Sequence, residues 1–121
     1  MKEKIQAVRT DLDNAFRHPD VANRNKMIIS ASEILDELEN SQEESEIVKN
    51  VRVSYSRELI ESLEPSNFDN DILSFIALKR LNPMFNSILE QFPALKARYD
   101  RFMESLRSDD DFIPFLDLLK R

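Results

Sequence analysis

The sequence contains no glycine in 121 residues. At the average usage of about 7% a chain of this length carries roughly eight, so the fold has to manage with almost no backbone positions at positive φ. Helical bundles meet that condition. Tight β-hairpins, phosphate-cradling loops, dinucleotide-binding turns and nucleophile elbows lean on glycine at fixed points, where a Cβ would clash. Several large enzyme classes are disfavoured along with most sheet folds.

Cysteine is also absent, which excludes disulfides, zinc-thiolate sites, iron–sulfur clusters and cysteine nucleophiles. Nothing in the sequence calls for a cofactor or a metal. A hydrophobic fraction of 41% beside a charged fraction of 33% belongs to a chain that folds rather than one that stays disordered. The length fits one domain, residues 1–121, burying roughly two-thirds of its unfolded surface. The opening Met1-Lys2-Glu3-Lys4 leads into a charged amphipathic segment without the apolar run of a signal peptide. No stretch approaches 18 apolar residues, and the expectation is a cytoplasmic protein with no membrane partner. The formal charge of −6 argues against nonspecific binding to nucleic acid or anionic membrane, which depends on clustered Lys and Arg.

Apolar periodicity places the helices. Ile5, Val8, Leu12 and Ala15 recur at 3-4-3 spacing, as do Ile28, Ala31, Leu35 and Leu38, and His18-Pro19 separates the two runs. They predict an α-hairpin, the second helix starting near Asp20 or Asn23. Ser41 and Glu44 have capping-box spacing for a third helix with Val48, Val51, Tyr55, Leu59 and Leu63 as its stripe, closed by Glu64-Pro65. Ser66 and Asp69 repeat the capping spacing before a fourth helix whose Phe68, Ile72, Leu73, Phe75, Ile76, Leu78 and Leu81 surround the axis, as in a helix buried mid-domain. Asn82-Pro83 introduces a short fifth helix with Met84, Phe85, Ile88, Leu89 and Phe92, and Pro93 starts a sixth with Leu95, Tyr99, Phe102, Met103 and Leu106. Ser108 and Asp109-Asp110-Asp111 suit the positive end of a last helix, where Pro114 is tolerated in the first turn.

Eight of the ten aromatic residues lie at or after Phe68. The expected architecture is therefore an all-α, compact bundle of six or seven helices, long N-terminal helices packing on an aromatic-rich C-terminal core. The segment from Phe92 through Ile113 and Phe115-Leu116 to Arg121 resembles the last helices of glutathione-transferase C-terminal domains. That resemblance implies helix packing only, because the chain contains no thioredoxin-like half, and it assigns no residue a role.

Catalytic constellations are not found. The single histidine, His18, sits at a helix end beside Pro19, where a cation is mildly favoured and no proton-transfer partner is implied. Ala15 occupies the position that a Glu-x-x-His metal motif gives to glutamate. Glu33 and Glu37 read as solvated charge, and the Asp109–Asp111 run lacks the alternation and glycine of a calcium loop. No catalytic or metal residue is assigned, and the chain is read as not an enzyme. Lys96, Arg98, Arg101 and Arg107 could serve a small nucleic-acid-associated subunit, but Asp100 and Glu104 interrupt them and residues 93–121 hold six basic and six acidic side chains.

Surfaces remain. The third helix carries Val53 and Ile60 one heptad apart, about 120–140° round from Val48, and flanked by Glu46, Lys49, Arg57 and Glu64. A helix with two apolar stripes contacts two things: either both lie within the chain, or the second stripe meets another protein or a second copy, as a homo-oligomer. The expectation is a helical protein–protein interaction module, acting as adaptor, regulator or small subunit of an assembly, with Lys49, Val53, Arg57 and Ile60 as partner-binding residues.

Overall fold

The first hairpin forms as its periodicity predicts. In a computed structural model describing residues 2–40 and 45–119, α1 spans Lys2–Arg17 and α2 spans Val21–Glu39. Ile5, Val8, Leu12 and Ala15 of α1 and Ile28, Ala31, Leu35 and Leu38 of α2 are all buried. Each large aliphatic side chain so buried contributes about 1.5–3 kcal/mol. Asp20 is the N-cap of α2, its carboxylate accepting from the Asn23 N–H at 3.1 Å, which satisfies one of the free donors of a helix start.

Five further helices follow: α3 (Ser45–Glu61), α4 (Phe68–Leu81), α5 (Asn86–Gln91), α6 (Pro93–Arg107) and α7 (Phe112–Leu119). The described residues include no strand and no positive φ, which is how a chain without glycine avoids strain. The Ser41–Glu44 capping box lies outside the described residues. α4 begins one residue later than its predicted cap: Asn67 accepts from the Asn70 N–H at 2.9 Å, while the Ser66 N–H donates to both carboxylate oxygens of Asp71. Asn82, expected as the N-cap of the fifth helix, caps a turn instead: its Oδ1 accepts from the Met84 N–H at 3.0 Å, and α5 starts only at Asn86 with Phe85 as its N-cap. Pro93 stands in the first turn of α6.

α2 packs most extensively on α1 and α4, and α3 bridges α1, α2, α4 and α6. Arg24 near the start of α2 meets Ser74 midway along α4, and Asp36 near the end of α2 meets Arg80 near the end of α4, so the two helices run in the same direction. The buried apolar side chains form one continuous cluster with members on all seven helices.

Two expectations about this core are corrected. α4 is central, touching α2, α3 and α6, yet it is not buried all round. Its sealed face is Asp71, Ile72, Ser74, Ala77, Leu78 and Leu81, and Leu73, Phe75 and Ile76 are only half-buried. Three neighbours leave one side of the helix open, and the Lys79 ammonium lies 5.5 Å from the centre of the Phe75 ring there. Nor is the core aromatic-rich. Only Phe85, Phe102 and Phe112 are buried aromatics among the described residues, and aliphatic side chains fill the rest. Phe68, Phe75, Phe92, Tyr99 and Phe115 pack at its margin, where a large ring covers the seam between helices without needing a cavity its own size.

Candidate functional site

The four residues expected to meet a partner do not share a surface. Lys49, Val53 and Arg57 are exposed, Val53 by 36%, whereas Ile60 is fully buried. Heptad spacing does keep 53 and 60 on one stripe of α3, but α6 covers the last turns of that helix. Arg98 of α6 donates to the Leu63 carbonyl at 3.2 Å, and the Arg57 guanidinium lies over the Phe92 ring at 4.2 Å. Ile60 is thus a core residue, and the stripe divides between an intramolecular seam and an open surface.

The open part borders a groove of about 720 Å³. One wall is α3, contributing Glu46, Lys49 and Val53; the other is the α4–α5 turn and α5, contributing Pro83, Met84, Ser87, Ile88 and Gln91. The turn sets the second wall. Because the Asn82 side chain holds the Met84 N–H and the Phe85 N–H donates to the Asn82 carbonyl, Phe85 points into the core while Met84 is left 72% exposed.

Arg52 and Asn82 lie where the walls meet. Arg52 is 4% exposed. Its Nη1 donates to the carbonyls of Arg80 and Leu81 at 3.1 and 2.8 Å, and its Nη2 to Asp36 at 2.6 Å, with Glu39 at 3.5 Å. The guanidinium fork therefore caps α4 and ties it to the end of α2. Its Nε is buried without a hydrogen-bond partner. Asn82 Nδ2 donates to Ser56 Oγ at 3.2 Å, fixing the turn against α3.

Other polar groups serve the bundle. Arg24 donates through Nε and Nη2 to Asn25 Oδ1 at 3.1 and 3.0 Å, and both residues donate to Ser74 Oγ. Burial pulls the Arg24 pKa down. On α3, Tyr55 donates to Asp13 at 2.8 Å and stacks on Phe16 with ring centres 6.2 Å apart. Its pKa is pushed up to about 12, first by desolvation and then by its bond to Asp13. Desolvation, with the nearby charges of Asp13 and Glu61, also raises the Glu58 carboxyl.

The remaining sequence candidates are placed apart from this chemistry. His18 Nδ1 accepts from the Asp20 N–H at 3.1 Å in the α1–α2 turn. Asp109 Oδ1 accepts from the Asp111 N–H at 2.9 Å ahead of α7. Glu33 faces Arg80 at 3.9 Å. Among the described residues no three His, Cys, Asp or Glu side chains are grouped to hold a metal. On α6, Lys96 pairs with Asp100 at 2.6 Å and Arg98 serves Leu63, leaving Arg101 and Arg107 as its other exposed cations. No described helix is long and apolar enough to cross a membrane.

Periodicity missed the second wall because Met84 fits a helical stripe with Ile88. The signal that separates them is the Asn82-Pro83 pair, which forces a turn before the helix and rotates Met84 outward. No family model, no curated protein and no solved structure matches this chain.

Proposed function

We propose that the chain is a non-enzymatic helical interaction module of the cytoplasm, an adaptor, regulator or small subunit that holds another protein in the groove between α3 and α5. The observation that carries this reading is the placement of Met84, 72% exposed, across a concave surface from Val53, 36% exposed. Large apolar side chains scattered singly on a surface need no explanation, but two facing each other across a groove supply the apolar centre that an interface requires. Lys49, Glu46, Ser87 and Gln91 surround them as a polar rim does at protein interfaces.

The test compares the wild type with a Val53→Asp/Met84→Asp double variant as baits in extract from the native source. Both substituted positions are exposed, so helicity by circular dichroism is expected to be unchanged. A protein retained in near-equal amount by the wild type and lost from the variant is the expected result. Identical retention by two folded baits would remove the groove from the interaction.

A further inference from the structure

We infer that the occupant of this groove is an amphipathic helix of another protein, with apolar residues seated on Val53 and Met84 above the buried Ile88 and with Lys or Arg at the end facing Glu39 and Glu46. The inference rests on the proposed reading of the groove as an interface.

The walls decide the secondary structure of the occupant. Both walls are helical and the described residues include no strand, so the groove offers no unpaired strand edge. An extended peptide would bring N–H and C=O groups that find few partners there, whereas a helix arrives with its own already bonded. From Glu46 to Val53 the α3 wall rises seven residue steps, about 10 Å at 1.5 Å per step, which matches two turns of a docked helix using i, i+3 or i+4, and i+7 anchors.

Charge decides the chemistry of one end. Among the described residues between 33 and 46 the charged side chains are Glu33, Asp36, Glu37, Glu39 and Glu46, and none is basic. Asp36, Glu37 and Glu39 occupy the last turn of α2, which carries no basic residue, at the end where helix carbonyls already concentrate negative potential. Arg52 and Arg80 answer part of this, Arg52 pairing most closely with Asp36 and Arg80 lying near Glu33 and Asp36, whereas Glu39 is 3.5 Å from Arg52 with half its side chain open to solvent. Glu46 forms no ion pair among the described residues. A cation on the partner would complete that end of the groove. A second copy of this chain suits it poorly, because it brings a net charge of −6 and the same acidic run, and like charges brought together oppose association.

The experiment pans the full chain against a display library of helical peptides that are apolar at i, i+3, i+4 and i+7 and randomised elsewhere, then maps selected peptides by NMR. The expected peptides carry Lys or Arg at one end and shift the signals of Val53, Met84 and Ile88. Glu39→Gln/Glu46→Gln then weakens them roughly fivefold, the scale of two exposed ion pairs, and added salt does the same. Peptides that bind in the groove without a basic end would overturn this inference and leave the interface reading in place. Failure to select any groove-binding peptide would overturn both. A wild-type dimer in light scattering that Val53→Asp/Met84→Asp splits would instead make a second copy the occupant, sinking the inference while keeping the interface.

Discussion

The guanidinium of Arg52 on α3 donates to the carboxylate of Asp36 on α2 at 2.6 Å while its other nitrogen holds the last carbonyls of α4. Three helices meet at one side chain. Arg52 is 5% exposed along its side chain and Asp36 is 52% exposed, so the two partners are not equivalent.

That asymmetry sets the first prediction. Arg52→Ala strips donors from two carbonyls and one carboxylate, and it should cost about 2–4 kcal/mol in chemical denaturation. Asp36→Asn removes a half-solvated charge and should cost less than about 1 kcal/mol. Arg52→Lys keeps the charge but cannot fork between carbonyl and carboxylate, and it should fall between them. Should Asp36→Asn be the costlier change, the contacts to α4 contribute little and the ion pair alone holds the junction.

The second prediction concerns where aromatic burial is concentrated. Phe102 is 2% exposed within the core, whereas Phe75 is half-buried on the open side of α4. Phe102→Ala should cost about 3–5 kcal/mol, the usual range for deleting a buried ring. Phe75→Ala should cost less, about 1–2 kcal/mol, because its ring is only partly buried at the margin of the core. Equal losses would place α4 more deeply than its neighbours allow.

The third prediction is a pH dependence. Burial and the bond to Asp13 raise Tyr55 to about 12, above the ordinary tyrosine value of about 10. A raised pKa means that the folded state holds the phenolic proton more tightly. The corresponding stability is complete below pH about 10 and declines as pH rises through about 12. Tyr55→Phe removes this titration, so the difference in denaturation midpoint between wild type and variant should narrow from pH 9 to pH 11.5. A constant difference across that range would mean that the hydroxyl titrates normally.

How much of this was legible in the sequence depends on what each residue reports. The stripes of α1 and α2 were readable because each helix buries one face, and a 3.6-residue repeat states which. α4 was misread because its apolar residues record suitability for burial, while actual burial depends on how many neighbours arrive. Arg52 was invisible for the opposite reason: a charge between Val51 and Val53 reads as solvent-facing until α4 supplies carbonyls for it to cap. The groove was half-legible. Val53 and Lys49 are sequence features of one helix, but Met84 joins them only through the turn that Asn82 builds from a different element.

The last prediction follows from Ile60, whose sequence pattern equates it with Val53 and whose environment does not. Val53 lies at the groove mouth, 36% exposed, and a carboxylate placed there can keep its water. Val53→Asp should therefore shift stability by no more than about 0.5 kcal/mol. Ile60 is fully buried, and a carboxylate there would sit in the core without a counter-charge or a hydrogen-bond donor, so Ile60→Asp should unfold the domain. A double variant would unfold as well and report nothing about an interface; the two changes have to be made separately. Ile60→Ala, which leaves a cavity rather than a charge, should give a folded protein weakened by about 2–5 kcal/mol. Circular dichroism and denaturant melts on the three single variants check the ordering. A folded, stable Ile60→Asp protein would show that α6 does not cover the end of α3, and it would restore residue 60 to the exposed stripe.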